Sequence, residues 1–182
     1  MRRVILAIMV LISFGFGVDS SKWHSYVGEW SFKDGVIKQS STKDYYPLAL
    51  LEDKKFSDVD VSVEFKPISG KIDASGGVVF RAVDSKNYYI VRANALEDNF
   101  RLYTFKDGIR SQIASATVDE PKIGEFHNIR VEAKGNNIKA YLNGKLLIEH
   151  SDNSFKDGYV GLWTKADSIT EFKILKLNRY EI

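Results

Sequence analysis

The sequence has no cysteine and only three prolines. Without cysteine there are no disulfides, no thiolate metal ligands, no cysteine nucleophile and no lipid-modified cysteine. Strong net charge is also missing, because the 26 Lys and Arg exceed the 24 Asp and Glu only by Arg2 and Arg3. Nucleic-acid and membrane-surface binding depend on clustered basic residues, so a balanced chain without a polybasic block indicates neither partner.

The first twenty residues have the pattern of a secretory signal peptide. Two arginines precede residues 4–18, which carry no charge, and an acidic and two small polar residues follow. This uncharged run is shorter than the roughly 20 residues that a membrane-spanning helix needs. We predict a signal peptide of residues 1–17, cleaved after Gly17 or Ser20, and a secreted or periplasmic bacterial protein with no membrane insertion after cleavage. An uncleaved anchor is the alternative.

Turn residues between short apolar runs dominate the rest of the chain. Asn143-Gly144 separates residues 138–142 from residues 145–149, which is a strong hairpin signal. Residues 58–65 alternate between apolar and polar without a break, as a half-buried strand does. We predict strands within residues 29–39 (two), 46–51, 58–65, 76–83, 88–95, 100–105, 109–118, 126–133, 138–142, 145–149, 159–167 and 170–177. Many short strands and no long helical stripe indicate a β-sandwich or barrel.

Four segments in order carry a family resemblance: residues 76–81, 87–103, 138–144 and 161–164. They resemble the secreted concanavalin A-like (laminin G-like) jelly rolls of bacteria, including 3-keto-disaccharide hydrolase-like domains. The resemblance implies an all-β, antiparallel jelly-roll β-sandwich of the concanavalin A-like lectin/glucanase type, as a single domain over residues 23–180. It does not imply one activity, because this superfamily contains lectins, carbohydrate-binding modules, glycoside hydrolases and domains without a known role.

A metal site is not expected. Many members of this superfamily place acidic residues after a phenylalanine of the last strand, where calcium can bind. Here Phe172 is followed by Lys173 and Ile174, which argues against an inherited calcium site. The three histidines have no metal-ligand spacing among themselves. We therefore expect neither a cofactor nor a metal.

Arginines and tyrosines recur on the middle strands. Period-two parity puts Arg81 on one strand face with Val79, Arg92 with Tyr88 and Asn94, and Tyr103 with Arg101. If these strands are adjacent, the side chains converge on one face of a sheet, where Glu64 can pair with one of the arginines. Aromatic rings stack on sugars, and arginine and asparagine donate directional hydrogen bonds to hydroxyls. The predicted ligand-binding residues are Glu64, Arg81, Tyr88, Arg92, Asn94 and Tyr103. The alternative is a polar sheet face held together by cross-strand charge pairs.

Catalysis has weaker support in the sequence. A family 16 glycosidase uses a Glu-x-Asp-x-x-Glu strand, and this chain has none. The remaining carboxylate candidates are Asp60 and Glu64, on one face of a predicted strand. We therefore expect an exported, lectin-like carbohydrate-binding module with a glycan partner. The alternatives are a glycoside hydrolase-like enzyme acting on a sugar, and a structural or protein-interaction domain of the cell envelope.

Overall fold

A computed structural model describes residues 19–179, so the predicted signal peptide of residues 1–17 lies outside the described part. A short 3-10 helix, Ser20–Lys22, precedes fourteen strands. No helix among the described residues has the length and apolar character needed to span a membrane. The strands are β1 Trp23–Val27, β2 Trp30–Lys33, β3 Val36–Gln39, β4 Leu48–Phe56, β5 Val59–Ser69, β6 Ser75–Asp84, β7 Asn87–Asn94, β8 Asn99–Lys106, β9 Ile109–Thr117, β10 His127–Lys134, β11 Asn137–Leu142, β12 Lys145–Ser151, β13 Gly158–Trp163 and β14 Ile169–Arg179.

The strands form two seven-stranded antiparallel sheets that pack as a sandwich. Sheet A has the order β1-β4-β13-β6-β7-β8-β9, and sheet B has the order β12-β11-β10-β5-β14-β3-β2. Strands that are neighbours in a sheet are often distant in sequence, as in a jelly roll. The predicted all-β jelly-roll β-sandwich of the concanavalin A-like type is confirmed.

Three tight turns connect neighbouring strands through an Asp-Gly or Asn-Gly pair. Both central residues have positive φ at Asp34-Gly35 (53° and 75°), Asp107-Gly108 (51° and 80°) and Asn143-Gly144 (49° and 81°). A type I′ turn needs this conformation, which glycine and, more than most residues, asparagine and aspartate tolerate. The hairpins at these three places follow directly from turn chemistry.

Alternate residues of the central strands fill the interior between the sheets. On β5, Val59, Val61, Val63 and Phe65 are all buried in the main core cluster. Val78 and Phe80 of β6, with Tyr89 and Val91 of β7, meet them from sheet A. Burying one such side chain contributes about 1.5–3 kcal/mol relative to leaving it exposed.

The residues between these core positions form a second apolar cluster. It contains Val79 of β6, Ile90 of β7 and Trp163 of β13, which alternate with the interior residues of the same strands. Successive side chains of a strand point to opposite faces, so this cluster covers the outer face of sheet A. The ring of Tyr46 packs on this cluster, and its centre lies 5.0 Å from the centre of the Phe105 ring and 5.5 Å from that of the Trp163 ring.

The sequence did not predict β1. Trp23–Val27 pairs with β4 at the edge of sheet A, and four of its five residues are exposed. A strand without a buried face has no apolar alternation to reveal it. Trp23 still packs on the core cluster, with its ring 5.7 Å from that of Phe32.

Candidate functional site

The outer face of sheet A holds a cluster of polar side chains beside the apolar cluster. In one row across the sheet, Gly77 of β6 pairs with Arg92 of β7, which pairs with Arg101 of β8. A Cβ on Gly77 would lie 2.5 Å from Cδ1 of Ile90 and 3.2 Å from Cβ of Arg92. Glycine at this position therefore allows the side chains of β7 to pack closely over β6.

Arg92 is the most buried charge of this face, with 1% of its side chain exposed. Its Nη2 donates to Oε2 of Glu97 at 2.8 Å, and Nδ2 of Asn99 donates to the same oxygen at 2.9 Å. Burial by itself would raise the pKa of Glu97, but the hydrogen bonds from Arg92 and Asn99 outweigh it and lower the pKa to about 2. Glu97 is therefore ionised at any physiological pH.

Two further arginines surround the hydroxyl and the ring of Tyr103. Nη2 of Arg92 and Nη1 of Arg101 both donate to Oη of Tyr103 at 3.4 Å. The guanidinium of Arg110, on the edge strand β9, lies 4.6 Å from the centre of the Tyr103 ring and 5.3 Å from that of Tyr46. We call Arg92, Glu97, Arg101, Tyr103 and Arg110 together the Arg92 cluster.

Several buried donors of the cluster have no hydrogen-bond acceptor among the described residues. They are Nε and Nη1 of Arg92, Nε of Arg101 and Nη1 of Arg110. Nδ2 of the adjacent Asn94 is also buried and has no acceptor. A buried donor without a partner costs about 1–3 kcal/mol, so folded proteins contain few of them. Oδ1 of Asn99 is a buried acceptor that also lacks a partner, so donors outnumber acceptors on this face, with the Glu97 carboxylate as a further acceptor beside them.

The structure brings four of the six predicted site residues to this face, in different environments. Arg92 and Tyr103 belong to the Arg92 cluster. Tyr88 is buried in the apolar cluster, where its ring stacks on Phe105 at 4.5 Å and burial raises the pKa of its hydroxyl. Asn94 is also buried, and its Oδ1 accepts hydrogen bonds from the backbone N–H groups of residues 74 and 96. Asn94 thereby fixes the connection that carries Glu97.

Arg81 is not on this face, and the prediction from strand parity was wrong for it. The strand is irregular here, since Arg81 has a φ of 49° and the pairing of β6 with β7 shifts beyond Phe80. The guanidinium, 2% exposed, donates to the carbonyls of Ser57, Gly135 and Phe155 at 2.8, 2.7 and 3.3 Å. Arg81 therefore ties three connections together at one end of the sandwich.

Glu64 lies on the other sheet, so the predicted pairing with an arginine of the middle strands was wrong. It is on the polar face of β5 in sheet B, in register with Asn128 of β10 and Lys173 of β14. That face alternates with the interior residues of β5, so it is the outer face of sheet B. Glu64 and the Arg92 cluster occupy opposite outer faces of the sandwich.

Asp60, the other carboxylate of the catalytic alternative, is held in an ion-pair network. Arg130 donates to both of its carboxylate oxygens at 2.8 Å, and Nζ of Lys176 donates at 3.1 Å. The hydrogen bonds from Arg130 lower the pKa of Asp60. Asp60 and Glu64 are four residues apart on one strand, about 13 Å, which exceeds the carboxylate separations of glycosidases. This geometry gives no support to a glycosidase mechanism.

Three residues of the site were absent from the predicted set. Glu97 lies in the β7–β8 connection, where an acidic residue looks like ordinary turn composition. Arg101 shares the strand parity of Tyr103, which was the available signal. Arg110 pairs with Phe105 across the Asp107-Gly108 turn, so hairpin register was sufficient to place it. Within residues 19–179, no group of three or more His, Asp or Glu side chains is arranged to hold a metal ion.

Comparison with solved structures agrees with the fold. A carbohydrate-binding module, CBM66 of Bacillus subtilis, superposes with a TM-score of 0.76 at 24% identity, covering 84% of this chain and 93% of the module. A B. subtilis protein of unknown function with a galectin-like fold gives a TM-score of 0.67 at 12% identity, covering 92% and 95%.

Comparison with curated proteins gives a similarity to the levanase of B. subtilis strain 168. The two are 26% identical over 142 residues, which are 77% of this chain and 20% of the levanase. The chain thus spans about a fifth of that enzyme's length.

Comparison with protein families gives a match over residues 14–178, which is nearly the whole chain. The matching family is described as the 3-keto-alpha-glucoside-1,2-lyase-like domain. Both sheets of the sandwich lie within the matched residues, apart from the last residue of β14. The chain belongs to the family of 3-keto-alpha-glucoside-1,2-lyase-like domains.

Proposed function

We propose that this protein is a carbohydrate-binding module and that the Arg92 cluster is its sugar site. The observation that carries the proposal is the surplus of buried donors beside one ionised carboxylate. Sugar hydroxyls both donate and accept, so they pair with arginine donors and with a carboxylate acceptor at the same time. The ring of Tyr46, which is partly exposed, adds flat apolar surface of the kind that stacks on sugar rings.

The similar proteins support the same class of ligand. The carbohydrate-binding module of B. subtilis shares the fold over almost its full length, and the similar segment of the levanase is a small part of that enzyme. The predicted signal peptide fits an extracellular glycan, so we also propose export, to be checked by N-terminal sequencing of the mature protein.

Binding to a glycan array tests the proposal. We expect wild-type protein to bind at least one glycan, and both Glu97→Gln and Tyr103→Phe to weaken that binding about tenfold or more, since each loses a hydrogen bond in the site. Tyr141→Phe is the matched control, because Tyr141 lies on sheet B and bonds to Glu132 at 2.6 Å. Glycan binding that survives both cluster variants unchanged would place the sugar elsewhere.

A lyase acting on a keto sugar is the second candidate, favoured by the description of the family. Such an elimination needs a base to remove the proton next to the keto group and donors to stabilise the enolate oxygen. Arg101 and Arg110 supply donors. Glu97, with its pKa at about 2, is a weak base, which is why binding ranks above catalysis here. Release of a reducing sugar from a 3-keto-glucoside, abolished in Tyr103→Phe, would reverse this ranking.

A further inference from the structure

Positive charge exceeds negative charge in the Arg92 cluster. It has three guanidinium groups and one carboxylate, that of Glu97, which lies 2.8 Å from Arg92 and 3.7 Å from Arg101. No carboxylate among the described residues lies within ion-pair distance of Arg110, whose charge faces the rings of Tyr46 and Tyr103 instead. The excess is local, because Lys and Arg balance Asp and Glu over the chain after residue 17.

Two arginines outside the cluster, Arg130, which is partly buried, and Arg81, which is buried, are compensated differently. Arg130 on sheet B contacts two carboxylates, those of Asp60 at 2.8 Å and Glu132 at 3.2 Å. Arg81 donates to three backbone carbonyls and has Asp58 within 3.8 Å. The guanidinium groups of the Arg92 cluster therefore have less compensation by carboxylates and carbonyls than those of Arg81 and Arg130.

A neutral sugar would satisfy hydrogen-bond donors but would leave this charge excess in place. A carboxylate satisfies both, since its two oxygens match the planar fork of a guanidinium and a charge-assisted hydrogen bond is about twice as strong as a neutral one. Arg101 has 32% of its side chain exposed, and Arg110 is also partly exposed, so both are accessible from solvent. Arg92 lies beneath them and is held by Glu97.

We propose that the Arg92 cluster recognises a sugar that carries a carboxylate, and that Arg101 and Arg110 are the residues that contact it. In this arrangement Glu97 positions Arg92 and accepts from a neighbouring hydroxyl of the same sugar. The proposal rests on the proposed function, since it specifies the class of ligand for the same site.

Matched pairs of uronides and their methyl esters test the proposal, because the two members of a pair differ only in the charge and the methyl group of the carboxyl. Methyl glucuronide and methyl galacturonide, each with its methyl ester, are titrated into ¹⁵N-labelled protein and followed by NMR. We expect one of the acids to shift the amides of β7, β8 and β9 and to bind about tenfold more tightly than its ester. Raising the salt from about 0.1 M to about 1 M, which shortens the Debye length from about 10 Å to about 3 Å, should reduce that advantage.

Substitutions in the Arg92 cluster test which arginines cause the preference for the acid. Arg110→Gln and Arg101→Gln should each remove most of the preference for the acid, and Arg110→Lys should retain part of it. Lys139→Gln is the control, since Lys139 is on sheet B and pairs with Glu149. An acid and ester that bind equally at the cluster would overturn this inference and leave the sugar-binding function intact. If neither the uronides nor a neutral glycan shifted these amides, both proposals would be wrong.

Discussion

The guanidinium of Arg92 and the carboxylate of Glu97 form a 2.8 Å ion pair that closes the connection between two neighbouring strands. Arg92 is almost fully buried on β7, while Glu97 is 32% exposed in the connection to β8. Neither residue can be removed without leaving the other charge poorly compensated. The pair therefore affects the stability of the fold as well as the chemistry of the site.

Replacement of Glu97 by glutamine should lower the free energy of unfolding by about 1–2 kcal/mol at pH 7, after allowance for partial exposure. The cause is the uncompensated charge of Arg92. Urea denaturation of both proteins measures the difference.

The same substitution should change the response to acid. Because the pKa of Glu97 is lowered to about 2 by folding, its contribution is complete above the unfolded pKa of about 4.5 and is lost as the pH falls from there to about 2. The gap in stability between wild type and Glu97→Gln should therefore narrow over that range. A gap that is constant from pH 7 to pH 2 would contradict the assigned ion pair.

Arg81→Gln should destabilise the protein by about 2–4 kcal/mol, because three backbone carbonyls lose a buried charged donor. Glycan affinity per folded molecule should stay at the wild-type value. Thermal unfolding and a binding titration at a temperature where the variant is folded make the two measurements. Loss of affinity with unchanged stability would return Arg81 to the set of ligand-binding residues.

Asp60→Asn and Glu64→Gln separate the two carboxylates of β5. Asp60 is 2% exposed and compensates Arg130 and Lys176, so Asp60→Asn should cost about 2–4 kcal/mol. Glu64→Gln, on the same strand face, should stay within about 0.5 kcal/mol of wild type. Chemical denaturation of both variants measures their losses of stability, and equal losses would contradict the assigned ion pairs of Asp60 with Arg130 and Lys176.

Asp167 should anchor the connection between β5 and β6. Its carboxylate accepts from the backbone N–H groups of Lys71, Ile72 and Asp73 at 2.7, 3.0 and 3.0 Å. In Asp167→Ala we expect hydrogen exchange at these three amides to accelerate about tenfold or more, with a loss of about 1–2 kcal/mol in stability. Asp119→Ala, in an exposed loop, is the control. Unchanged exchange at all three amides would reject the anchor.

Local chemistry explains how much of the fold was predictable. Asp-Gly and Asn-Gly pairs set their hairpins through backbone conformation, and the alternation of β5 identified its buried face without reference to any other strand. β1 escaped prediction because an edge strand that is mostly exposed leaves no pattern in the sequence.

The site was predictable only where strand regularity holds. Parity correctly grouped Tyr88, Arg92 and Asn94, which lie on one uninterrupted strand. It failed for Arg81, since a positive φ at an arginine in an irregular strand has no sequence signal. It also failed for Glu64, because alternation gives the face of a strand but not the sheet to which the strand belongs. Sheet membership depends on contacts between distant parts of the chain.

All five residues of the Arg92 cluster lie between positions 92 and 110, on three consecutive strands and in the first of the two short turns that join them. Most of the sandwich, including all of sheet B, is encoded outside this stretch. Under the proposed function, a change of ligand in the Arg92 cluster needs the exchange of one contiguous segment, while the rest of the scaffold is inherited intact. Recombination between homologues, or a laboratory library confined to this segment, can diversify recognition without rebuilding the domain.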